Sequence, residues 1–142
     1  MNIPDLQREA ESGSVVAQSI LGACYLYGID VEVDYEQAFR LLSASASAGA
    51  SRSIVNLARM HAEGLGIPRN LPEAIRLYEV AAKAGEFLAQ IELGRIYSRG
   101  LGTSANPDAA LKWYSAAVAQ GARVRDCEEL QEARAYVGSR QH

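Results

Sequence analysis

Three stretches decide the reading of this chain: Ala17-Gln-Ser-Ile-Leu-Gly-Ala-Cys-Tyr25, Ser53-Ile-Val-Asn-Leu-Ala-Arg-Met-His61 and Ala89-Gln-Ile-Glu-Leu-Gly-Arg-Ile-Tyr97. They are 36 residues apart, and the register runs on beyond them. Gly28, Gly64 and Gly100 share a column, as do Ala38, Ala74 and Ala110, then Gly49, Gly85 and Gly121. Gly13 keeps the register one period upstream of Gly49. A fixed period of this length is the signature of stacked repeats.

Each stretch reads as an amphipathic helix. Ala17, Leu21, Cys24 and Tyr25 follow the i, i+4, i+7, i+8 spacing, and Ala89, Leu93, Ile96 and Tyr97 repeat it. Gly28, Gly64 and Gly100 then supply the left-handed residue that stops a helix. In the loops that follow, Gly66 and Gly102 predict positive φ, and Asp30 stands in that column in the first copy.

A second helix starts at Asp34, Asn70 and Asn106, all strong N-caps. Gln37 and Glu73, three positions on, predict reciprocal capping boxes. Pro107 takes the first helical position. These helices are expected to end at Gly49, Gly85 and Gly121, each in left-handed geometry. Ile3 to Ser12 matches the second half of a repeat. Val124, Cys127, Leu130 and Ala133 predict a final amphipathic helix with a charged outer face (Arg125, Asp126, Glu128, Glu129, Glu132), as a capping element requires. The count is eight helices: a partial unit at 1–13, repeats at 15–50, 51–86 and 87–122, and a cap at 123–142.

Composition narrows the function classes. A chain of 142 residues with 49% hydrophobic and 22% charged residues is globular. A net charge of −3 argues against a general nucleic-acid binder. No apolar run approaches the roughly 20 residues of a membrane span, and Met1 to Ala10 lacks the features of a signal peptide. The expected compartment is therefore the cytoplasm, a leader removed beforehand aside. Cys24 and Cys127 form no metal-spaced pair and read as small buried hydrophobes.

Catalytic residues are scarce. The histidines are His61, in a column otherwise held by Tyr25 and Tyr97, and the C-terminal His142. Neither builds a nucleophile–base constellation, and His61 reads as a packed structural residue. The Gly-x-Gly pairs at Gly64/Gly66 and Gly100/Gly102 follow helices and are turn glycines, with no phosphate-binding role. No cofactor and no metal is expected. Trp113 and Tyr114 read as core.

The columns resemble the Sel-one-like repeat family, a branch of the tetratricopeptide superfamily. Leu21-Gly22-x-x-Tyr25-x-x-Gly28, Leu93-Gly94-x-x-Tyr97-x-x-Gly100-Leu-Gly102 and Asn70-x-x-x-Ala74-x-x-x-Tyr78-x-x-Ala81-Ala82-x-x-Gly85 carry the likeness. Departures are few: Ala58 for the small glycine, His61 for the tyrosine, Ser45 for an alanine and Leu42 for the second-helix aromatic. The resemblance implies an all-α fold, a right-handed, curved α/α solenoid whose concave side binds other proteins. Some cysteine-rich secreted relatives carry a disulfide in each repeat, and this chain lacks those cysteines.

In such arrays the exposed stripe of each first helix lines the groove. Here one column holds Ala23, Arg59 and Arg95, the next Tyr27, Glu63 and Arg99, and a third Asn56 and Glu92. Arg59, Arg95 and Arg99 are suited to a carboxylate-bearing peptide. Set against that, the same arginines can simply pair with Glu63, Glu92 and other local acids, for roughly 0–1 kcal/mol each. Tyr27 can anchor a partner or pack on its own loop. The leading expectation is a monomeric, non-catalytic adaptor or regulator binding a protein or peptide. The alternatives are an inhibitor or immunity protein neutralising a toxic enzyme, and a hydrolase of β-lactam or cell-wall substrates.

Overall fold

A computed structural model describes residues 2–140. Its described residues form eight helices and no strand: α1 (Ile3–Glu11), α2 (Val15–Tyr27), α3 (Tyr35–Ser47), α4 (Ser51–Glu63), α5 (Leu71–Lys83), α6 (Phe87–Arg99), α7 (Pro107–Ala119) and α8 (Glu128–Ser139). This is the all-α helical repeat that the 36-residue period predicts. The chain forms two compact units, Met1–Leu77 and Tyr78–His142, with the boundary inside α5.

Local chemistry sets the helix ends. Gly28, Gly64 and Gly100 stop α2, α4 and α6 with φ of 68°, 67° and 68°. The caps of the second helices form as expected: Asp34, Asn70 and Asn106 accept from the backbone N–H groups of Gln37, Glu73 and Ala109, each at 3.1 Å. The reciprocal half of the capping box does not form. The N–H groups of Asp34, Asn70 and Asn106 donate instead to the carbonyls of Tyr25, His61 and Tyr97, at 3.0, 2.8 and 2.8 Å. That donor is already satisfied by the preceding helix, so Gln37 and Glu73 turn outward to Arg40 and Arg76.

Two further expectations are corrected. Gly49 and Gly85 have positive φ (91° and 94°), but Gly121 does not. After α7 the chain runs through further turns instead of a left-handed cap. The last helix begins at Glu128, so Val124 lies before it and Cys127 occupies its N-cap position.

In the first unit α2 packs on α1 and α3, and α3 on α4. Leu6, Ala10, Ala17, Leu21 and Leu41 form one core cluster, and Leu26, Ala38, Leu42 and Met60 another. The glycine at position 22 is a packing requirement: a Cβ there would lie 2.8 Å from the Leu42 side chain. In the second unit α7 packs on α6 and α8, and Ile91, Tyr114, Ala117 and Ala133 form the core. Gly94 meets the Tyr114 ring just as closely, 2.7 Å from a Cβ.

The middle copy joins its helices differently from its neighbours. Gln18 and Gln90 strap their helices to the carbonyls of Ala10 and Ala82, at 3.3 and 3.2 Å. The middle copy has Ile54 in that column. There Ser45 and Ser53, buried in columns that hold alanine in the other two full repeats, bond to each other at 2.6 Å, and Ser53 continues to Ser19 at 2.9 Å. A lost side-chain strap is replaced by a hydroxyl chain.

Candidate interaction surface

Tyr27 closes α2 and is 44% exposed. Its hydroxyl donates to Asn56 Oδ1 at 2.7 Å and accepts from Arg59 Nη1 at 3.0 Å. The Arg59 guanidinium also lies 5.9 Å from the Tyr27 ring centroid, within cation–π range. Asn56 and Arg59 are three apart on α4 and so share a face. Tyr27 is thus neither a free anchor nor packed on its loop; it bridges two helices of the first unit. Glu63, the last residue of α4, is exposed one turn beyond Arg59.

Beside this network α2 presents an apolar stripe. Its thirteen residues include no charged side chain. Val16 and Ile20 are 69% and 45% exposed, and with Tyr27 they fall on one face at i, i+4 and i+11. Sequence reasoning passed over Val16 and Ile20. The absence of any charge from a helix with an exposed side was the available signal.

In the second unit Glu92, Arg95 and Arg99 stand on α6. Arg95 is held from two sides. Its Nη1 donates to Glu92 at 2.8 Å, while Nε and Nη2 fork onto Glu132 of α8 at 2.9 and 2.6 Å. The Tyr114 hydroxyl donates to the same carboxylate at 2.6 Å. The fork from Arg95 holds the Glu132 carboxyl below its ordinary range, the Tyr114 bond acting in the same direction, and raises the already high pKa of Arg95. Burial, then Glu132, pushes the Tyr114 phenol up. Arg95 therefore spends its donors within the chain, whereas Arg99 is exposed at the end of α6. Glu132 was legible only as part of a charged helix face.

The remaining titratable groups point to structure. His61 is half-buried and meets Phe39 edge-on at 6.3 Å between ring centroids; its Nδ1 has no hydrogen-bond partner. His142 lies outside the described residues. Tyr97, in the same column as His61, donates to Glu79 at 2.6 Å; burial and that bond push its phenol up to about 12. Trp113 and Tyr114 are buried. Cys24 is buried, Cys127 is half-buried and both are free thiols. Among the described residues no group of His, Cys, Asp or Glu side chains is arranged to hold a metal, and no helix is long and apolar enough to cross a membrane.

Comparison with known proteins gives these features a lineage. Residues 15–49, 51–86 and 88–121 each match the Sel1 repeat. The crystal structure of a Sel1 repeat protein from Oxalobacter formigenes is similar at 35% identity with a TM-score of 0.77, over 95% of this chain and 96% of that one. A protective antigen present in uropathogenic Escherichia coli strains, displaying an SLR fold, is similar at 28% identity and a TM-score of 0.79; 92% of this chain aligns, spanning 31% of that one. Three consecutive matched repeats and an end-to-end relative place the chain in the Sel1 repeat family, whose members generally act as protein–protein interaction modules on a typically non-catalytic scaffold.

Proposed function

We propose that this protein is an adaptor or regulator that binds one protein or peptide partner through the face of α2 and α4. The observation that carries the reading is the Tyr27–Asn56–Arg59 network standing beside exposed Val16 and Ile20. Aromatic and arginine side chains held in place beside apolar surface are the usual composition of interface hot spots. Because the side chains are already ordered by one another, little conformational freedom is lost on docking. A partner segment with an apolar ridge for Val16 and Ile20 and a carboxylate near Arg59 fits this face. Arg95, engaged by Glu92 and Glu132, supports the second unit and contributes less to the partner. The protein acts as a monomer towards its partner.

The test is affinity capture with the wild type and with Ile20→Asp, Tyr27→Phe and Arg99→Glu, followed by titration of the captured partner. Ile20→Asp should weaken binding about 100-fold with an unchanged melting temperature, and Tyr27→Phe about tenfold with a stability loss of about 1 kcal/mol from the bonds to Asn56 and Arg59. Arg99→Glu, a change in the second unit outside α2 and α4, should bind within about twofold of wild type. A partner that Ile20→Asp and Tyr27→Phe bind normally refutes the assignment of this face. If the partner is an enzyme that the wild type silences, the protein is an inhibitor of the immunity type acting through the same surface.

A further inference from the structure

A cavity of about 170 Å³ opens in the first unit where α1, α2 and α3 meet, apart from the face proposed for the partner. Its apolar floor is Ala10, Leu21 and Leu41, all buried. Its polar wall is Gln7, Tyr25 and Gln37, with one acid, Glu11, and one base, Arg40. Gln7 Nε2 donates to the Tyr25 hydroxyl at 3.1 Å, which leaves the Tyr25 O–H free to donate into the cavity.

The second copy provides an internal control. There Arg76 forks onto Glu73 through Nε and Nη2, at 3.0 and 2.5 Å, and its charge is answered. In the first copy the same fork, at 3.2 and 2.7 Å, closes on Gln37, an amide that holds the guanidinium without neutralising it. Among the described residues neither Arg40 nor Glu11 has an ion-pair partner. A small cavity thus carries one unanswered charge of each sign, on different helices, above an apolar floor.

We propose that this cavity binds a free α-amino acid. The carboxylate is met by Arg40 and the Tyr25 hydroxyl, the ammonium by Glu11, and the carbon skeleton by Leu21 and Leu41. The volume fits. It is below the roughly 300–1,000 Å³ of sites for drug-sized ligands and suits a smaller molecule. Charges of opposite sign on the cavity wall favour a zwitterion over either half alone, because each of its charges then finds a partner as it loses water.

The test is an NMR titration of the full chain with each free L-amino acid, and with propionate and propylamine as half-ligands. At least one amino acid should shift the resonances of Gln7, Tyr25, Gln37 and Arg40 to saturation at millimolar concentration. Arg40→Gln and Glu11→Gln should each weaken that binding about tenfold, and Arg76→Gln should leave it unchanged. Both altered side chains are exposed, so folding is expected to persist; amide spectra outside the cavity verify it. Saturation by none of the panel overturns the proposal. So does propionate binding as tightly as the amino acid, or wild-type affinity in both cavity variants. Loss or retention of the partner on α2 and α4 does not bear on this result.

Discussion

Replacing Glu132 with glutamine removes one charge and little volume from the point where α6, α7 and α8 meet. The carboxylate accepts from Arg95 at 2.9 and 2.6 Å and from Tyr114 at 2.6 Å. The Arg95 and Glu132 side chains keep 27% and 29% of their exposure. An exposed pair contributes about 0–1 kcal/mol, and breaking a fully buried one costs about 3–5 kcal/mol. This partly screened fork falls between, and Glu92 still faces Arg95 in the variant, so the expected loss is about 1–2 kcal/mol. For a chain of this length that is a fall in Tm of about 3–7 °C.

The pH dependence follows from the direction of the shift. The folded pKa of Glu132 is lowered from 4.5, so its contribution is present above 4.5 and is lost as pH falls through the lower folded value. The gap between wild type and variant should be widest near neutrality and should close on acidification. Trp113, the only tryptophan, is buried beside Tyr114 in α7 and reports on this unit by fluorescence during urea unfolding. Equal urea midpoints at neutral pH, or a gap that persists undiminished in acid, would refute the reasoning.

Gly66→Ala should destabilise by about 2–4 kcal/mol, because φ is +71° and a Cβ would overlap the Tyr35 side chain. Gly85→Ala, at φ +94° with nothing within 4 Å, should cost only about 1 kcal/mol; thermal melts of the two compare strain plus clash with strain alone. Ser45→Ala and Ser53→Ala should each cost about 1 kcal/mol, because the remaining hydroxyl keeps the Leu41 carbonyl or Ser19 as a partner, and the double variant should cost less than their sum; a double-mutant cycle in urea measures the difference.

Half of the candidate surface could be read before any coordinates. Placing Tyr27, Asn56, Arg59 and Glu63 on the exposed stripe needs only helical periodicity and the 36-residue register. That Tyr27 joins Asn56 and Arg59 could not be read, since the contacts span 29 and 32 residues and depend on how α2 lies against α4. The same applies to Arg95: its local acid Glu92 was visible at i−3, but Glu132 lies 37 residues away.

What the sequence determined by itself is local. The helices, their left-handed stops at Gly28, Gly64 and Gly100, and the caps at Asp34, Asn70 and Asn106 follow from interactions within a few residues of each position, repeated at a fixed period. Only the tertiary structure decided which donors remained for anything else. It gave the cap N–H groups to the carbonyls of Tyr25, His61 and Tyr97, joined Ser45 to Ser53 and closed Arg95 on Glu132. Each of those choices depends on the distance between atoms of different helices or loops, which packing sets and a one-dimensional pattern does not contain.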